Sequence, residues 1–253
     1  MKVFDQYARY YDLLYRDKDY SGETDFVLAV LRDYAPRANH IFEMGCGTGI
    51  HAQMLAKAGH NVHGIDFSKS MLASAIERRK GLSADTRQRM NFFIGDVRTY
   101  RTGRRFDVVL SLFHVLSYQN TNADLQAAFA TAASHLDPGG LFIFDYWYGP
   151  AVLAQRPETR IKRLEDEEIS ILRIAEPQLD DMRNQVKVNY ETIVKSGIEF
   201  EIRETHCLRY LFVPEIELLA SIHGFEPVSH REWLGTAHPS PASWSAFSVL
   251  KKQ

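Results

Sequence analysis

One stretch limits what this chain can fold into: the run His40-Ile-Phe-Glu-Met-Gly-Cys-Gly-Thr-Gly-Ile50. A short apolar segment (Ile41, Phe42, Met44) ends in glycines at 45, 47 and 49, and a helical pattern follows. That order reads as a buried strand turning sharply into a helix. Glycine serves where backbone φ is positive or where a ligand must touch the main chain. The dinucleotide fingerprint G-x-G-x-x-G would place its third glycine at position 50, where this chain has Ile50. Here the spacing is G-x-G-x-G, with Glu43 two residues ahead of the first glycine.

Downstream, strand-like runs each end in an acid or a polar loop. Asn61-Val-His-Gly-Ile-Asp66 puts an acid 21 residues after Gly45, where an α/β nucleotide site places the carboxylate that accepts ribose hydroxyls. Ser68 is a good N-cap for the helix expected over 71–79, which leaves Asp66 free for that role. Residues 90–97 read as a third strand ending in Gly95-Asp96, 106–113 as a central fourth strand, and 141–147 as a fifth. Helices are expected over 25–35, 50–58, 124–136 and 214–223. Strand–helix alternation with short turns implies a parallel sheet covered on both faces. Ligands then bind outside the strands' carboxyl ends, at the switch point. Glu43, Asp66, Asp96, the segment 114–118 and Asp145 to Trp147 all fall there.

Two regions break the alternation. The first forty residues are helical and tyrosine-rich, with Tyr7, Tyr11 and Tyr15 four apart on one face and Tyr10 at its edge. Tyrosine where leucine would serve suggests hydroxyls that need partners. From 159 to 212 the pattern changes to period two, which reads as antiparallel strands inserted over the substrate side. The expected organisation is a single domain: a helical cap at 1–35, a cofactor core at 36–150, the insertion at 159–212, and a return to the sheet at 213–253 that adds two strands.

Composition narrows the function. The 253 residues carry a formal charge of −2, with 30 Lys and Arg against 32 Asp and Glu, so no basic field recruits nucleic acid. No apolar run reaches the roughly 18–20 residues of a membrane span, and the start has no signal-peptide pattern, so a cytoplasmic protein is expected. Two cysteines are too few for a disulfide framework or a Cys-rich zinc site, and no clustered carboxylates suggest a catalytic metal.

The E-x-G-x-G-x-G run resembles the first motif of the class I S-adenosylmethionine (AdoMet) methyltransferases. The resemblance implies a Rossmann-like seven-strand sheet whose last hairpin is antiparallel, and AdoMet as cofactor. It sets the glycine loop (Gly45, Cys46, Gly47, Gly49) against the cofactor's methionine part, with Glu43 near its ammonium. Asp96 would meet the adenine amino group, with Val97 beside the ring; Phe67, Met71, Leu112 and Phe113 complete the cofactor-facing set. A narrower likeness, to the N-methyltransferases of nucleotide-linked aminodeoxysugars, is carried by several segments. They are Tyr10-Tyr11-Asp12, Lys18-Asp19-Tyr20, the loop 112–118, Tyr146-Trp147-Tyr148-Gly149-Pro150 and Glu204-Thr-His206. It implies that Tyr11 and Tyr118 face the reacting amine, with His114 a candidate base, and that Tyr15, Tyr20, Trp147, Tyr148 and His206 line the acceptor site. The acceptor would be a small molecule, with no nucleic acid or membrane partner, and a homodimer stays open. Alternatives are an O- or N-methyltransferase of another metabolite, a module that binds AdoMet without turnover, and a nicotinamide dehydrogenase, the last disfavoured by Ile50.

Overall fold

The computed structural model describes residues 8–165, 169–196 and 198–253, without the side chains of 8–10, 196 and 198. Tyr7 and the Tyr10 side chain therefore lie outside the described residues.

The chain opens with α1 (Ala8–Leu14) and α2 (Tyr20–Tyr34). The second helix starts five residues before the expected 25, because Asp19 caps it by accepting from the Gly22 amide at 2.8 Å. Its buried stripe, Val27, Val30 and Leu31, packs on the sheet. Tyr15 lies beyond the end of α1, so the four-residue periodicity of the tyrosines outlasts the helix.

Then come β1 (His40–Met44), α3 (Ile50–Lys57), β2 (Asn61–Asp66), α4 (Lys69–Lys80), α5 (Ala84–Gln88), β3 (Met90–Ile94) and β4 (Phe106–Ser111). After the short turn Val115–Tyr118 follow α6 (Asn122–Ser134), β5 (Leu136–Trp147) and α7 (Gly149–Gln155). Sequence reading missed α5, α7 and the turn, all too short to show periodicity. It also began β5 at 141, whereas the strand runs through Asp137-Pro-Gly-Gly140 and pairs Leu136 with Phe106 before a register shift.

The main sheet has seven strands in the order β10-β11-β5-β4-β1-β2-β3, where β10 is Phe225–Glu232 and β11 is Ser245–Lys252. Strands β1 to β5 are parallel, and β11 runs antiparallel to β5 and β10. Chain order reverses between β1 and β4, so a crevice opens beyond their carboxyl ends. Apolar clusters cover both faces: Phe42, Met44, Val109 and Phe144 on one, Ile41, Val108, Leu110 and Ile143 on the other.

The segment read as an insertion forms a separate antiparallel sheet of four strands: β6 (Arg160–Glu165), β7 (Ser170–Asp180), β8 (Gln185–Ser196) and β9 (Ile198–Arg209). The chain returns through α8 (Val213–Ile222) to the last hairpin.

Candidate active site

At the switch point the glycine loop holds itself in shape. Gly45, Gly47 and Gly49 have φ of 79°, 54° and 76°, the left-handed region that costs other residues roughly 1–2 kcal/mol each. The amides of Gly45 and Cys46 both donate to Ile65 O at 2.8 Å, and the Gly47 amide donates to the Asp66 carboxylate at 2.9 Å. These N–H groups are thus consumed inside the protein. A ligand would lie over the bare backbone at Gly47, where a Cβ would meet nothing within 4 Å. At Gly45 a Cβ would strike Val115 at 2.5 Å, so the loop and the turn after β4 are packed backbone against side chain.

Glu43, at the end of β1, is buried, and its Oε2 has no hydrogen-bond partner. Burial, with the Asp66 charge adding to it, pushes this carboxyl up to about 8. A buried, unsatisfied carboxylate is costly unless a donor arrives. Asp66 ends β2 and takes the Ser68 amide on its other oxygen at 2.8 Å. Burial also raises the Asp66 carboxyl, against the pull of those backbone donors. Ser68 caps α4 as expected, accepting from the Met71 amide.

The other cofactor-facing expectations divide. Phe67 is 48% exposed beside Asp66, an open ring face. The Asp96 carboxylate is engaged by the Arg98 side chain at 2.6–3.2 Å and by the Arg98 amide, and Arg98 also reaches Asp124. Val97 packs against the main core. Cys46 and Leu112 are buried, with Leu112 in the core, so it offers a ligand only main chain. Met71 joins Leu14, Leu164, Ile171, Val194 and Ile202 in a cluster that ties α4 to α1 and the insertion sheet. Among the described residues no group of three His, Cys, Asp or Glu could hold a metal.

On the acceptor side the loop after β4 turns through two non-glycine left-handed residues, Phe113 (φ 63°) and His114 (φ 62°). Asp145, buried at the end of β5, holds that bend: the His114 amide donates to its carboxylate at 3.1 Å and the His114 ring nitrogen lies 2.7 Å away. Strain of this kind persists where the surroundings over-determine it, and it collects at functional sites. The bend presents Phe113 to Tyr15 (5.1 Å between centroids), Tyr11 (6.5 Å) and the Lys18 ammonium (4.5 Å). Lys18 also lies over the Tyr20 ring, which packs on His51. Trp147 stands 6.1 Å from His114 and meets Trp244 edge to face at 5.4 Å. Tyr148, expected beside it, packs against the main core instead, because successive residues along an extended chain point to opposite sides.

The insertion sheet contributes what sequence reading only touched. Its cross-strand partners along one face are Ile171, Val194; Arg173, Thr192, Ile202; Tyr190, Glu204; and Val188, His206. Apolar clusters occupy both ends of that face, Ile171, Val194 and Ile202 at one and Val186, Val188 and Leu208 at the other. Between them sits a polar island. Arg173 is 8% exposed, stacks 3.9 Å over Tyr190 and approaches the Tyr15 hydroxyl at 3.4 Å. His206 is 4% exposed, and its Nδ1 is 2.8 Å from the Tyr118 hydroxyl. The Tyr118 phenol is pushed well up by burial, with the neighbouring Tyr15 and Tyr190 adding to it. Arg173, Tyr190 and Glu204 were absent from the expected site. Their signal was a polar residue at an inward register of an alternating strand, which needs the register to be seen. Also missed was the pin on the glycine loop: Thr48 donates to Asp12 of α1 at 2.7 Å, and Arg78 pairs with the same carboxylate.

Comparison with known proteins agrees with this geometry. Residues 41–140 match the family model described as a methyltransferase domain. A dTDP-3-amino-3,4,6-trideoxy-alpha-D-glucopyranose N,N-dimethyltransferase of Streptomyces venezuelae is 35% identical over 150 residues, 58% of this chain and 60% of that protein. A dTDP-4-amino-2,3,4,6-tetradeoxy-D-glucose N,N-dimethyltransferase of Saccharopolyspora spinosa is 28% identical over 202 residues, 78% of each. The chain thus spans about 60% of the first of these relatives. In three dimensions, S. venezuelae DesVI superposes with a TM-score of 0.80 at 23% identity, covering 98% of both chains. An S-adenosylmethionine-dependent methyltransferase of Clostridium acetobutylicum gives 0.81 at 22%, also over 98% of both. The fold is that of the solved S-adenosylmethionine-dependent methyltransferases on which the chain superposes. The family match falls on residues 41–140, so that stretch of the chain is a methyltransferase domain by similarity.

Proposed function

We propose that this protein transfers a methyl group from AdoMet to the amino group of a small acceptor, a nucleotide-linked aminodeoxysugar. The observation that carries the reading is the side-chain cluster beside the switch point, where Tyr11, Tyr15, Phe113, Tyr118 and His206 come together from three segments. Rings and neutral hydroxyls suit an amine, whose lone pair is a nucleophile once its ammonium proton has left; a phenol or alcohol would need a stronger base at the site.

The residues fit the cofactor. Glu43 carries the unpartnered buried oxygen that an ammonium would satisfy, and Asp66 retains lone-pair capacity for a diol beside its backbone donors Gly47, Phe67 and Ser68. AdoMet supplies, when bound, a methyl already activated by its sulfonium for in-line displacement. What the chain adds is position: holding nucleophile and electrophile together accounts for much of the acceleration in such reactions. Tyr11 and Tyr118 orient the amine. The N-terminal segment, pinned to the glycine loop through Asp12 and Thr48, and the polar face of the insertion sheet keep water out. Relatives named as acting on dTDP-linked amino sugars favour that acceptor class.

The test is release of S-adenosylhomocysteine across nucleotide-linked amino sugars, free amines and phenols. The highest kcat/KM is expected with a nucleotide-linked amino sugar. Faster turnover of a phenol would overturn the amine assignment.

A further inference from the structure

An amine acceptor meets neutral water largely as an ammonium, and each methyl transfer to an amine bearing hydrogens leaves another N–H on a charged nitrogen. One proton must therefore leave per methyl, and the catalytic tyrosine cannot keep it. Burial holds the Tyr118 phenol protonated, so no tyrosinate stands ready as a base.

Behind the Tyr118 hydroxyl, however, lies a route. Its oxygen is 2.8 Å from His206 Nδ1, and His206 Nε2 is 3.5 Å from a Glu204 carboxylate oxygen. These residues come from different parts of the chain, the turn after β4 and strand β9. His206 is enclosed by Tyr118, by the Tyr190 ring at 4.9 Å from β8 and by Glu204 on its own strand. Arg173 of β7 lies 3.9 Å over the Tyr190 ring and reaches the Tyr15 hydroxyl at 3.4 Å. A hydroxyl at one ring nitrogen and a carboxylate near the other orient the imidazole between them.

Resting on the methyl-transfer reading above, we propose that Tyr118 and His206 carry the acceptor's proton into the insertion sheet, with Glu204 as counter-charge. In the resting state Tyr118 donates to Nδ1 and Nε2–H faces Glu204. The acceptor's N–H bond breaks as a new O–H bond forms at Tyr118, whose own hydrogen passes to His206 Nδ1. The electron pair stays on the acceptor nitrogen, which becomes the nucleophile. The positive charge moves unchanged in amount to the imidazolium beside Glu204, and solvent later removes the proton. His206 and Glu204 act through Tyr118 and are positioning residues.

Two measurements test this. With the full chain and an amino-sugar acceptor, His206→Asn should lower kcat at pH 7 by roughly thirtyfold and Glu204→Gln by roughly tenfold, within the range of acid–base effects. Both deficits should shrink below about threefold at pH 9.5, where the acceptor arrives neutral, with AdoMet Kd within about twofold of the parent. A deficit equal at all pH values, or none, overturns the relay. The second needs no acceptor: 15N-edited NMR of the His206 ring at pH 8, assigned by its loss in His206→Asn. The Nε2–H tautomer is expected, and Nδ1–H overturns the relay. Failure of every acceptor with the parent protein would count against the methyl-transfer reading alone, and the tautomer would still decide the relay.

Discussion

The two halves of the site are built from different materials. The cofactor half is acids and bare backbone: Glu43, Asp66 and three left-handed glycines, all within a span of 24 residues on two adjacent parallel strands. The acceptor half is rings and hydroxyls from three distant segments: the residues around α1, the loop after β4, and strands β7 to β9. In the proposed reading one half would recognise a ligand by charge at the ends of strands, where topology puts a site in any sheet of this type. The other has no topological guarantee and must be assembled by packing. A change in the first half should therefore move affinity for the cofactor, and one in the second should move turnover.

The largest effect expected tests the first statement. Asp66→Ala removes the proposed charged acceptor for two ribose hydroxyls and releases the amides of Gly47 and Ser68. Two hydrogen bonds to a charged group, at roughly 1.5–3 kcal/mol each, imply an AdoMet Kd weaker by about 10²–10⁴-fold in a folded protein. Calorimetry with an unchanged Kd would remove the ribose assignment.

The converse is smaller. Tyr11→Phe and Tyr118→Phe should each lower kcat by roughly tenfold to a hundredfold with AdoMet affinity unchanged. Steady-state kinetics alongside melting temperatures decides between orientation of the amine and mere packing. Full activity in both would collapse the distinction between the halves.

Next comes a pH effect confined to the cofactor half. The unliganded Glu43 carboxyl, pushed up to about 8, is neutral at pH 6.5 and must ionise to pair with an ammonium. Binding therefore releases a proton, and AdoMet Kd should fall by up to about tenfold per unit between about pH 6 and 8. Above about pH 8 the ligand's α-amino group deprotonates and the gain turns over. The stability of the unliganded protein carries the matching sign. With the folded value above the ordinary 4.5, Glu43 contributes stability below that pH and loses it as pH rises towards 8. Glu43→Gln should flatten both profiles, as read by calorimetry and thermal melts.

The smallest effect belongs to neither half. His63, on β2, stacks on Phe93 and bonds the Tyr100 hydroxyl at 2.8 Å, and burial lowers it from 6.5 to about 4. Its contribution is present above pH 6.5 and is lost as pH falls through 4. His63→Gln should narrow the drop in melting temperature between pH 6.5 and 4.5 by a few degrees, leaving kcat at pH 7.5 within about twofold. A large loss of turnover would mean that this cluster reaches the site.

The legibility of the two halves followed from their construction. Glu43, the glycines and Asp66 were visible because their spacing is local and each marks a strand end. Asp96 was equally visible as a motif position, yet its carboxylate is engaged by Arg98, a pairing two residues away that a family pattern does not report. Tyr148 parts from Trp147 for a simpler reason: it sits in an aromatic run whose alternate members face opposite sides. Helices α5 and α7 escaped because five and seven residues give a period too little room.

By itself the sequence determined the sheet, its order of strands and helices, the cofactor loop and the antiparallel texture of the 159–212 segment. All of these rest on short-range periodicity and on the conformations glycine alone adopts cheaply. Only the tertiary structure decided that His206 meets Tyr118 across 88 positions of chain, that Arg173 stacks on Tyr190, and that Asp12 pins the glycine loop. Those contacts depend on strand register and on how one sheet docks on another. A register moved by one residue would turn His206, Tyr190 and Arg173 away from that polar cluster.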